Sequence, residues 1–153
     1  MRYNPLDEPY ARAASRFLDL VVHTLITGAF ALLIYFKFER LDYVAFAVFG
    51  GIFIDLDHFL DYLLYFKRFN LKQFLITPYG ESKKAYILLH SWELVFILLI
   101  TGFIFKYIHV LVLGFGMALH LLVDTLQRGS FLLYCLAYRF RHKFDVAALR
   151  LNL

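Results

Sequence analysis

The stretch GIFIDLDHFLDY, Gly51–Tyr62, sets Asp55, Asp57, His58 and Asp61 inside a run otherwise suited to lipid. A charged side chain at the centre of a bilayer costs at least about 2.5 kcal/mol. Four polar groups so close together need partners, and the rest of the chain decides what those partners are.

The surroundings are a membrane protein's. The chain has 153 residues, 61% of them hydrophobic and 20% aromatic. Soluble domains average roughly 45–50% apolar. The length fits one domain, 1–153, a single transmembrane helical unit. With one cysteine, Cys135, no intramolecular disulfide and no cysteine-based metal site can form. The net charge of +4 comes from basic residues spread over several loops. Such loops fix topology and meet anionic lipid, and no nucleic-acid motif accompanies them. Phe17–Phe36 is long enough to span and no small-residue cleavage site follows it, so it reads as a span rather than a cleavable signal.

Hydropathy predicts an all-α bundle of about four transmembrane helices, near 17–36, 43–66, 85–105 and 107–126. The last two are almost continuous, so a tight turn near Lys106 must join them. FLLYCLAY, Phe131–Tyr138, is too short to span and is followed by RFRHK. It is expected at the membrane interface, with its basic residues among the headgroups. Thirteen of the sixteen Lys and Arg fall in the N-terminal tail, the 67–84 loop and the C-terminal tail. The positive-inside rule then places both termini in the cytoplasm of a multi-pass protein of the cell membrane.

On that topology the buried polar residues share a depth. His23 lies near the cytoplasmic end of the first span. Asp55, Asp57, His58 and Asp61 fill the last half of the second. His90 and Glu93 open the third, and His120 and Asp124 close the fourth. Most lie about 5–15 Å below the surface at helical rise. His109 alone is at the opposite end. Carboxylates and imidazoles that converge in this way are best held by a divalent cation or a pair of them. His90/Glu93 and His120/Asp124 each share one helical face, the arrangement from which bundles build metal sites. Imidazole with carboxylate suits zinc, manganese or iron. Asp124 and Asp61 read equally well as interfacial acids, and His23 taken alone reads more readily as a packing histidine. On a regular helix Asp55 and Asp57 point about 160° apart, so both face one site only if the helix is distorted there; Gly50-Gly51 would permit that.

The ordered set of His23, GIFIDLDH (Gly51–His58), His90-Ser91 and HLLVD (His120–Leu121–Leu122–Val123–Asp124) resembles the YdjM-like family of inner-membrane metal-dependent hydrolases. That family is distantly similar to zinc-dependent phospholipase C. Ile54 stands where the family pattern has a proline, and only Lys83-Lys84 offers a basic element ahead of His90-Ser91. The resemblance implies a hydrolase using one or two divalent ions, zinc first. The expected ligands are His23, Asp55, Asp57, His58, His90, His120 and Asp124. Glu93 or Asp61 is the expected general base, and Lys83, Lys84 and Arg128 are the expected phosphate contacts. A site beneath the headgroups suits membrane lipid or another small amphiphilic phosphoester as substrate, not nucleic acid. The competing expectations are an ion or proton transporter using the same cluster, a di-iron oxidase, and a structural adaptor.

Overall fold

The computed structural model describes residues 8–76 and 84–151; among them regular structure is helical, with one isolated bridge between Lys84 and Asp145. The helices are α1 (Glu8–Phe38), α2 (Leu41–Ile52), α3 (Leu56–Phe66), α4 (Leu71–Ile76), α5 (Trp92–Ile104), α6 (Ile108–Arg128), α7 (Leu136–Arg141) and α8 (Val146–Leu151). Short 3₁₀ turns lie at Phe53–Asp55 and Leu132–Tyr134. Three segments are long and apolar enough to cross a membrane: Phe17–Phe38, Leu41–Phe66 and Ile108–Gln127. Their outward faces stay apolar, with Phe36, Leu64 and Leu126 76%, 68% and 75% exposed. An exposed apolar surface this extensive marks contact with lipid or protein rather than with water.

α6 is the central element and packs against α1, α2 and α5. Close approach between α2 and α6 depends on glycine. A Cβ on Gly116 would lie 2.8 Å from the Ala47 carbonyl oxygen, and one on Gly50 would strike the Leu113 carbonyl. Backbones this near leave no room for a side chain, as at small-residue interfaces in membranes. One apolar core joins Ala31, Ile34, Tyr43, Ala47 and Val112. A second joins Ile54, Val95, Met117, Leu121 and Tyr134. The turns between antiparallel helices use left-handed residues, Glu39 between α1 and α2 and Lys106 between α5 and α6. The second is the tight turn the sequence requires.

Three expectations change. The third span is not helical from Ala85; α5 begins only at Trp92. Its 13 residues extend about 20 Å at helical rise, short of the ~30 Å of hydrocarbon. The reason lies in the site: the backbone of 86–90 is bonded to charged side chains instead of to itself. The second span is interrupted, since the 3₁₀ turn at Phe53–Asp55 separates α2 from α3. The C-terminal segment also departs from a surface helix. Tyr134 and Leu149 are buried, and Arg139, expected among headgroups, is 1% exposed.

Candidate metal centre

The break between α2 and α3 lets two aspartates that a regular helix would splay apart grip one imidazole. Asp55 Oδ1 lies 3.4 Å from His90 Nε2. Asp57 Oδ1 lies 2.9 Å from His90 Nδ1. The two carboxylates thus address opposite nitrogens of the same ring. Asp57 uses its other oxygen on the backbone, accepting the N–H groups of Leu89 at 2.8 Å and His90 at 3.2 Å.

Four atoms from three elements converge. His120 Nε2 is also 3.4 Å from Asp55 Oδ1. Asp124 Oδ2 is 3.6 Å from His90 Nε2 and 3.8 Å from His120 Nε2. These separations exceed the usual hydrogen-bond range of roughly 2.7–3.2 Å. The separations of 3.4–3.6 Å are those of donor atoms that share one ion, since zinc bonds of 2.0–2.2 Å set tetrahedral donors about 3.3–3.6 Å apart; the His120–Asp124 separation is slightly longer. Both Nε2 atoms are buried and have no hydrogen-bond partner among the described residues. Buried polar atoms are rarely left so, because the lost hydration costs about 1–3 kcal/mol each. A shared cation would satisfy both.

The protons are arranged to suit. His120 Nδ1 lies 2.9 Å from the Gly51 carbonyl oxygen at the end of α2. A carbonyl only accepts, so this nitrogen donates and carries the proton, leaving the lone pair on Nε2. With a cation at Nε2, the His90 proton belongs on Nδ1, where a lone pair would face the Asp57 oxygen repulsively, although the ring N–H does not aim along the contact. Carbonyl and carboxylate groups behind a ligating histidine fix the ring and its tautomer in this way.

His23 and His58 flank the four atoms. His23 Nε2 is 3.2 Å from Asp124 Oδ1, and its ring stacks on His120 with centroids 3.8 Å apart. Asp124 therefore turns one oxygen to His23 and the other to His90 and His120. Asp19, one turn before His23, stands 3.9 Å away from its Nε2. His58 Nε2 is 3.9 Å from Asp55 Oδ1, beside the His90 ring. Three sets have ligand atoms close enough to hold an ion: His23/His120/Asp124, Asp55/His90/His120 and Asp57/His58/His90. All seven expected ligands fall in these sets.

The expected bases are placed differently. Asp61 Oδ2 accepts from the backbone N–H groups of Tyr86 at 2.9 Å and Ile87 at 3.4 Å. Glu93 accepts from the N–H groups of Leu136 and Ala137 at the start of α7, and from the Ser91 hydroxyl. Among the described residues no ion pair joins either acid to the cluster. Ser91 caps α5, its oxygen accepting from the Leu94 N–H at 3.3 Å. The His90-Ser91 pair is thus a ring donor followed at once by a helix cap. Of the expected phosphate contacts, Lys84 donates to the Lys143 carbonyl at 2.7 Å. Lys83 and the Arg128 side chain lie outside the described residues. Sequence reasoning missed Arg139. Its guanidinium donates to the carbonyls of Ile87 at 2.6 Å, Tyr86 at 3.1 Å and His90 at 2.6 Å. Burial pulls its pKa down from the ordinary value, and the charges of Asp57, Glu93 and Asp61 oppose that shift.

Comparison with protein-family models, with curated proteins and with solved structures finds no match for this chain.

Proposed function

We propose that this chain is a multi-pass membrane protein with cytoplasmic termini whose His/Asp cluster holds one or two divalent ions, zinc first, and hydrolyses a phosphoester of an amphiphile. One observation carries the reading: the unpartnered Nε2 atoms of His90 and His120 face the same Asp55 oxygen at 3.4 Å. A divalent ion in that place supplies Lewis acidity toward a phosphoryl oxygen and acidifies an attacking water. Asp55, His90, His120 and Asp124 are its nearest holders. Asp57 and the Gly51 carbonyl hold the rings, and His23 holds Asp124.

Access supports an amphiphilic substrate. The Asp55 side chain is 38% exposed, while those of His90, His120 and Asp124 are at most 7% exposed. The cluster therefore opens at Asp55, in a turn whose neighbours Phe53 and Leu56 are themselves exposed apolar residues. Apolar flanks beside a charged opening favour a molecule with a polar head and an oily tail. Asp61 is committed to the segment that carries His90 and Glu93 to the start of α7, so Asp55 is the accessible carboxylate for a proton. The resemblance to the YdjM-like hydrolases agrees with this chemistry.

The test is a panel of phospholipids and isoprenoid phosphates incubated with the detergent-solubilised protein loaded with zinc, manganese or iron. Metal-dependent release of product, abolished by a chelator, is expected. No hydrolysis across the panel, with ion flux in reconstituted liposomes, would replace the hydrolase by the transporter.

A further inference from the structure

The segment that delivers His90 has no regular structure, yet its backbone is almost fully bonded. The N–H groups of Tyr86 and Ile87 go to Asp61, and those of Leu89 and His90 to Asp57. The carbonyls of Tyr86, Ile87 and His90 go to Arg139, and that of Leu89 to the Ser91 N–H. Irregular backbone within an apolar bundle persists only when its polar groups are met in this way. Two carboxylates from α3 bind it on the donor side. One guanidinium from α7 binds it on the acceptor side.

We infer that Arg139 is a positioning residue for the cluster: it holds the 86–90 backbone so that His90 Nε2 meets Asp55 and Asp124. This rests on the metal-centre reading above. The lever arm is short, because one Nη atom bonds the carbonyl of His90 itself. The other Nη spans Tyr86 and Ile87 and fixes the direction of approach. The clasp closes from the other side too. Glu93, three residues past His90, binds the N–H groups of Leu136 and Ala137 and so sets the start of the helix that carries Arg139. Three carbonyls at fixed spacing require the planar fork of arginine; lysine keeps the charge but presents a point donor. The C-terminal segment thereby becomes part of the centre without supplying a ligand.

Cobalt(II) is the probe, titrated into the full chain in detergent against a competing chelator and followed by its visible absorption. The wild-type protein is expected to bind cobalt with the intense visible bands of a low-coordinate site. Arg139→Met should weaken binding about 10–100-fold, the usual effect of losing support behind a ligand, and should alter the bands. Arg139→Lys should fall between the two. Leu149→Ala, which removes a buried side chain of the same C-terminal segment, should keep the wild-type bands and bind within about twofold of wild type, since it leaves the support behind His90 intact. Wild-type affinity and bands in Arg139→Met would overturn the inference. So would an equal loss in Leu149→Ala, which would reduce Arg139 to general packing. Should Arg139→Met fail to fold, wild-type affinity and bands in Arg139→Lys overturn it alone. Failure of the wild-type chain to bind cobalt or zinc would instead remove the metal centre itself.

Discussion

Replacing Asp57 with Asn should weaken metal binding while sparing the fold, and the structure sets the size of the effect. Asp57 Oδ2 accepts two backbone N–H groups, and Oδ1 faces His90 Nδ1 at 2.9 Å. An asparagine has two ways to sit there. With its NH₂ toward Leu89 and His90, three donors confront one another and two N–H groups lose their acceptor, the buried one of His90 at about 1–3 kcal/mol. With its oxygen toward those N–H groups, the backbone stays satisfied and the NH₂ points at His90 Nδ1. The second orientation wins. It makes Nδ1 the acceptor and moves the ring proton to Nε2, the atom that faces Asp55 and Asp124. His90 must then reverse its tautomer against the new donor before it can bind a cation. The expected loss in zinc affinity is about 10–100-fold, or about 1.4–2.7 kcal/mol. Competition with a chromophoric chelator measures it, and ¹⁵N-histidine spectra report which ring nitrogen carries the proton. Zinc affinity within twofold of wild type, with the His90 proton still on Nδ1, would refute the reasoning.

Gly116→Ala places a methyl 2.8 Å from the Ala47 carbonyl oxygen, so α2 must move away from α6; overpacking of this kind costs about 1–3 kcal/mol and should lower the unfolding midpoint in detergent. Unchanged stability would show that the two helices are less tightly apposed than described. For topology, Cys135→Ser supplies a background for single cysteines at Lys72 and Lys106. A membrane-impermeant reagent applied to intact cells should label Lys106→Cys, and should reach Lys72→Cys only after permeabilisation. The reverse pattern would place the cluster at the other face.

That the polar residues come together was legible from the sequence. His23, Asp55, Asp57, His58, His90, His120 and Asp124 fall in apolar segments expected to alternate in direction, and hydropathy fixes each segment well enough to compare their expected heights. The conflict between Asp55 and Asp57 was legible too, because helical periodicity alone sets them far apart. Its resolution was not. That the two meet opposite nitrogens of His90 depends on a 3₁₀ turn stabilised by contacts distant in sequence. The non-helical backbone at 86–90 was hidden for the same reason: its residues are apolar enough to continue a span, and the groups that pull it out of a helix are Asp57, Asp61 and Arg139. Arg139 itself sits in RFRHK, a run whose composition reads as a headgroup contact. Nothing in a single sequence separates a basic residue that faces lipid from one that turns inward to bind carbonyls. Glu93 and Asp61 show the converse, acids near the cluster whose oxygens are committed to backbone N–H groups.

The central claim is that the cluster binds a cation, and metal content tests it most directly. The protein is purified in detergent without added metal or chelator and analysed by elemental mass spectrometry beside His90→Ala and His120→Ala, with melting curves to confirm that each variant is folded. Each substitution removes one of the two buried Nε2 atoms that face Asp55, and loss of one ligand should release most of the ion. The account predicts one or two equivalents of zinc, manganese or iron in the wild-type chain and little in either folded variant. A folded wild-type chain without metal that takes up none on dialysis, or equal content in all three proteins, would contradict it.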